Sequence, residues 1–268
     1  MPDQIILPAD TNQARGLAEF AIDFMSKDPA KRGQPDATVL ERTNMFHTDA
    51  VLCGISALAL GTNAPTVLRN EALQYRAAPA GQGTMGSVLG SGSHHAQRGG
   101  APVLGSSTEV AVEKAIAANV AAVREWDSNG TNFGYSAHRT HHRAGEFGHN
   151  DFYSVPAAAA YMMGRDGEYA LRGMVLTDEI RGRLAEVFSL KTYKIDHVVH
   201  GAIASAATFG AMMGATADQI ESAIGMVVAH AIPFRAIRHG HQLSDSKGAS
   251  AAISTEFAIL CIKRAMAG

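Results

Sequence analysis

Two polar segments of this chain hold the side chains best suited to moving protons. The first runs Trp126-Asp-Ser-Asn-Gly-Thr131 and is followed by Gly148-His-Asn-Asp151. It gathers a carboxylate (Asp127), a hydroxyl (Thr131) and an imidazole (His149) in a glycine-containing stretch between two alanine-rich ones. Polar groups that water could solvate rarely collect where the flanking sequence is built for burial. The pattern therefore points to a site at which protons move on a small polar substrate. Taken singly, each of the three is as well explained as a turn or loop residue.

The second segment, 233–247, tips that balance. It carries Arg235, Arg238, His239, His241 and Lys247 in a chain whose net charge is −2. Local positive charge on a glycine- and serine-containing loop suits a polycarboxylate or phosphate, with an exposed basic loop as the plain alternative. His197 opens an otherwise apolar stretch, 198–213. A helix N-terminus there favours the neutral imidazole, which can act as a base near neutral pH.

Other motifs carry less. Gly81-Gln-Gly-Thr-Met-Gly86 fits a dinucleotide fingerprint, but it follows a charged helical stretch instead of a strand and reads as a loop. His138, His141 and His142 have a spacing that could serve zinc or iron, yet Arg139 and Arg143 stand among them and disfavour another cation. No metal is expected. Cys53 and Cys261 lie in apolar helical stretches and read as buried thiols in a reducing compartment. Two thiolates are too few to ligate an iron–sulfur cluster alone.

Helical periodicity must position these groups. Leu17, Phe20, Ala21 and Phe24 give one apolar face, ended by Asp28-Pro29. The spacing predicts a long, well-buried helix over 39–60 with Asp49 among Ala50, Val51 and Leu52. Further helices are expected over 66–76, 108–125, 156–163, 178–189, 198–213, 217–229 and 249–266, with Thr216 as an N-cap. The stretch 77–107 reads as loop with a short extended piece at 86–89, and the strand signal is too weak for a substantial sheet. An all-α domain is expected. With 46% apolar and 18% charged residues the chain is globular rather than disordered. Its charge gives no global attraction for nucleic acid or an anionic membrane, and no apolar run is long enough to cross a bilayer. A cytoplasmic protein is the expectation.

Several stretches taken together resemble the MmgE/PrpD family. They are Ala-Ala-Asn-Val-Ala-Ala-Val-Arg-Glu-Trp-Asp-Ser-Asn-Gly-Thr (117–131), Gly148-His-Asn-Asp151, Asp196-His197, and Arg238-His239 through Ser246-Lys247-Gly-Ala-Ser. The likeness runs in order along essentially the whole chain. That family includes 2-methylcitrate dehydratase, cis-aconitate decarboxylase and iminodisuccinate epimerase. The resemblance implies a large multihelical domain over 1–268, dimerisation through its helices, and lyase chemistry on small di- or tricarboxylates without metal or cofactor. It also implies a smaller α+β second domain, expected to be missing after 268, so that the chain is a fragment, a split subunit paired with a separate chain, or an inactive remnant. Carried over residue by residue, Asp127, Thr131, His149, His197 and Lys247 are the implied catalytic positions. Arg143, Arg238, His239 and His241 are the implied substrate contacts. The segment 135–144 looks inserted relative to typical dehydratases, which implies a substrate other than 2-methylcitrate. Decarboxylation and epimerisation remain open alternatives, as does a non-catalytic helical subunit.

Overall fold

Alanine and glycine govern how this fold is built, because helices lined by small side chains approach one another closely. A computed structural model describes residues 10–78, 98–132, 148–187, 190–235 and 246–268. Among them lie nine α-helices: α1 (Gln13–Met25), α2 (Ala37–Ala59), α3 (Asn63–Ala72), α4 (Val112–Arg124), α5 (Ser154–Met162), α6 (Gly167–Val187), α7 (Val198–Met213), α8 (Ala217–His230) and α9 (Ser246–Ala267). Two short 3-10 turns, His149–Tyr153 and Leu190–Tyr193, lie among the same described residues. Among the described residues the β structure is one short antiparallel pair, β1 (Ala101–Pro102) and β2 (Glu109–Val110), in the register Ala101 to Val110 and Pro102 to Glu109, with isolated bridges at Arg76–Val110 and Ile195–Phe234. The domain is all-α, as the periodicity predicts.

Helix α7 is the axis. Nearly all of it is buried, and α1, α5, α6, α8 and α9 pack around it. Its small residues make notches for larger neighbours. A Cβ on Gly201 would come within 2.0 Å of the Phe152 ring, so glycine at this position lets the His149–Tyr153 turn dock on α7. Helices α4 and α9 run antiparallel along each other. Lys263 near the end of α9 donates to Glu113 in the first turn of α4 at 2.5 Å, and Lys247 at the start of α9 donates to Asp127 just beyond α4 at 2.7 Å. The site lies at that second end.

Local signals account for the helix starts. The Asn12 side chain accepts from the Arg15 amide at 3.0 Å. Thr216 and Gln219 form a reciprocal capping box, which confirms Thr216 as the N-cap of α8.

Three expectations need correction. Helix α2 is not well buried: only Thr43, Ala50, Gly54 and Ala57 reach the interior, while Val39, Met45, Leu52 and Ile55 are exposed. Apolar residues occur all round this helix, so composition could not show that its small residues form the inner stripe. In α1 the buried positions are Ala18, Ala21 and Met25; Leu17 and Phe24 are half-buried and Phe20 is exposed. Cys261 is buried but Cys53 only half-buried, and both are free thiols. Among the described residues no single helix is long and apolar enough to cross a membrane.

Candidate active site

Helix α4 ends in a cation that water does not reach. Arg124 is 3% exposed, and burial alone would favour loss of its proton. The charges of Asp151, Asp127 and Asp196 outweigh that and hold it charged. Its Nη1 donates to Asp151 Oδ2 at 2.7 Å, and its Nη2 lies 3.2 Å from Asp127 Oδ1. Asp151 is itself fully buried, and its other oxygen accepts from Asn129 Nδ2 at 2.7 Å.

Beyond α4 the chain turns through Asp127, whose φ of 52° is left-handed. That conformation costs a residue with a Cβ roughly 1–2 kcal/mol. The turn is held by the Asp127 amide, which donates to Arg124 O at 2.9 Å, and by the two cations on its carboxylate. Lys247 stands in the first turn of α9, where a loop lysine was expected. A cation at that positive helix end is unfavourable, and Asp127 offsets it. The Asp127 carboxylate grips Lys247 and Arg124.

Three residues on, Gly130 adopts φ 78° and its amide donates to Asp49 Oδ2, on α2, at 3.0 Å. A Cβ there would approach Asn150 Oδ1 to 2.5 Å and His149 Nδ1 to 2.9 Å, so glycine is required for the loop to close on the turn. The next amide, that of Thr131, donates to His149 Nδ1 at 3.3 Å. With Nδ1 accepting, the neutral ring carries its proton on Nε2. Phe46, also on α2, meets the His149 ring edge-on with centroids 4.4 Å apart. Burial and the charge of Arg181 bring the His149 pKa down to about 4, against the opposing effects of a backbone hydrogen bond with Thr131 and, less, the charge of Asp49.

His197 is buried at the N-cap position of α7, its Nδ1 3.3 Å from Asp196 Oδ1. Behind these groups Arg181, on α6, is fully buried with its guanidinium 5.1 Å from the centre of the Phe152 ring. Its charge reaches His149, His200, Tyr153 and Asp178. The Tyr153 hydroxyl donates to Asp178, whose carboxyl burial pushes up to about 7. A cavity of about 360 Å³ adjoins the site, sharing Asn150 and Tyr153 with it and walled by His47, Val51 and Leu104.

His200 makes a pH dependence testable. It is 2% exposed, and among the described residues neither ring nitrogen has a hydrogen-bond partner. Burial and Arg181 lower its pKa from 6.5 to about 3. Between those values the unfolded chain binds a proton that the folded chain refuses, so this contribution to stability is full above pH 6.5 and is lost on acidification toward pH 3. Asp178, with a raised pKa, slopes the opposite way: its contribution is present at low pH and is lost as pH rises through about 7. Urea denaturation of His200→Leu against wild type from pH 6 to pH 4 is expected to show a flatter decline, by up to about 1.4 kcal/mol per pH unit. Parallel curves for the two proteins would count against it.

The geometry joins the candidate residues in two direct contacts, Asp127 with Lys247 and Thr131 with His149. The Arg124–Asp151 pair touches the first through Asp127, and Asn129 links Asp151 to Asn150, the neighbour of His149; the charge of Asp196, next to His197, also acts on Arg124. Arg143, Arg238, His239 and His241 lie outside the described residues, as do 81–86, 86–89, 135–144 and the histidines 138, 141 and 142. Among the described residues no cluster of three or more His, Cys, Asp or Glu is placed to hold a metal ion.

The MmgE/PrpD N-terminal domain family matches residues 17–268. The chain belongs to the MmgE/PrpD family. Within this MmgE/PrpD domain, Asp49, Arg124 and Arg181 were not anticipated as part of the site, and Asp151 was seen only as part of a motif. Asp49 did leave a signal, a carboxylate among Ala50, Val51 and Leu52 that needs a partner if it is to face the interior. Arg124 and Arg181 left none, because a helix-borne arginine is ordinarily solvated.

Proposed function

We propose that this MmgE/PrpD domain carries proton-transfer machinery of a lyase acting on a small di- or tricarboxylate, of the kind that dehydrates 2-methylcitrate. What supports the reading is one arrangement: a lysine–aspartate pair set on the buried Arg124–Asp151 ion pair, with His149 tied to Thr131 in the loop beyond Asp127 and His197 beside Asp196, within a family that includes such hydro-lyases. Dehydration requires a base to take a carbon-bound proton beside a carboxylate. The carbon–oxygen bond then breaks, and the departing hydroxyl leaves as water once it is protonated.

The two imidazoles are suited to different duties, one to donate a hydrogen bond and the other to take and return a proton. His149, with Nδ1 occupied by the Thr131 amide, offers an Nε2–H donor to a substrate oxygen. The charge of Asp196, 3.3 Å from His197 Nδ1, makes this imidazole the better suited of the two to take a proton as the base. Lys247, about one-third exposed, offers an ammonium to a substrate carboxylate as charge builds on it. In this reading the protein works as a homodimer through its helical domain, together with the family's second domain, in a reducing cytoplasm.

The test is direct. The native protein is incubated separately with 2-methylcitrate, cis-aconitate and iminodisuccinate in deuterated buffer and followed by NMR. Loss of water from 2-methylcitrate is the expected result. Carbon dioxide from cis-aconitate or inversion of iminodisuccinate would reassign the reaction within the family. Turnover of none would favour a non-catalytic helical subunit.

A further inference from the structure

We infer that Asp49, on the surface-facing helix α2, is a positioning residue that dictates which nitrogen of His149 carries the proton. Its Oδ2 accepts from the Gly130 amide at 3.0 Å and from Asn150 Nδ2 at 3.4 Å. Gly130 precedes the residue whose amide occupies His149 Nδ1, and Asn150 follows His149 in the chain. One carboxylate oxygen thus pins both strands of the contact, across 81 and 101 residues of sequence. Phe46, three residues earlier on the same helix face, adds a second clamp: its carbonyl accepts from Asn150 Nδ2 at 2.8 Å and its ring abuts the imidazole.

Without Asp49 the Gly130 amide has no acceptor there, the loop is free to turn, and the Thr131 amide can leave Nδ1. The imidazole then samples both tautomers, and the Nε2–H donor is present only part of the time. Because both hydrogen bonds converge on one oxygen, an asparagine whose Oδ1 takes that place keeps them and loses only the charge. The effect on turnover rests on the lyase reading; the effect on the tautomer does not.

The experiment uses native protein labelled with ¹⁵N-histidine, with the His149 ring assigned by its disappearance in His149→Gln. Long-range ¹H–¹⁵N spectra at neutral pH are expected to show a single Nε2–H tautomer in wild type and in Asp49→Asn, and a mixture in Asp49→Ala. On the substrate that turns over, Asp49→Ala is expected to lose kcat by about a hundredfold with little change in KM, while Asp49→Asn stays near wild type. Asp49→Ser, too short to reach Gly130, runs in parallel should the alanine variant not fold. An unchanged single tautomer in folded Asp49→Ala or Asp49→Ser overturns the inference, as does a wild-type ring with its proton on Nδ1. A tautomer shift in a protein that turns over none of the three acids leaves Asp49 in its role and removes the lyase reading instead.

Discussion

Arg124→Met is expected to cost the folded protein about 3–5 kcal/mol, the penalty for leaving a buried carboxylate without its counter-ion. Asp151 is fully buried, and its Oδ2 takes its 2.7 Å hydrogen bond from Arg124. Asn129 on the other oxygen is a neutral donor and does not replace the charge. The loss extends to the turn, because Asp127 is held in its left-handed conformation partly by the same guanidinium. Urea denaturation of the variant measures the cost. The double variant Arg124→Met with Asp151→Asn is expected to be more stable than Arg124→Met alone, since it buries no lone charge. A single variant within 1 kcal/mol of wild type would mean that water reaches Asp151.

His149→Ala is expected to lower kcat by roughly 10²–10⁴-fold while leaving KM within a few-fold, the signature of a contact that matters most in the transition state. Steady-state kinetics on the substrate identified by NMR reads both constants. His149→Gln, which keeps an N–H donor at nearly the same reach, is expected to lie between alanine and wild type. A KM rise with kcat unchanged would move His149 from the chemistry to substrate binding. Stability separates a trivial loss of folding from this effect, since His149 packs between Phe46 and Tyr153.

Much of the fold was legible because its strongest signals are local. Val198–Met213 stands out as a long apolar run with small residues, and it forms a helix over those bounds. Thr216 and Gln219 announce the start of α8 by their types and spacing alone. Helix α2 misled because Val39, Leu52 and Ile55 are as apolar as any core residue, and only tertiary packing decides that Ala50, Gly54 and Ala57 face inward. Helix α6 begins at Gly167, well before the expected 178, because Glu168 and Arg172 interrupt the apolar pattern of its first turns. In the site, Asp127, Thr131 and His149 were visible as polar groups placed against the grain of their surroundings. Arg124 and Arg181 were not, since a buried arginine is recognised only by partners brought from elsewhere in the chain. Asp49 falls between: its type was noticed, but its partner Gly130 lies 81 residues away and offers only a backbone amide.

The antiparallel pairing of α4 and α9 bears on how the protein acquires its chemistry. The ion pair at its site end closes a span of 120 residues, and the bonds to α2 close spans of 81 and 101. Contacts so remote in sequence carry a loop-closure cost before they stabilise anything, so the candidate site is expected to be complete only once α9 has docked. A protease nick that released α9 would remove Lys247 from Asp127, and one that released α2 would remove Asp49 from Gly130 and Asn150.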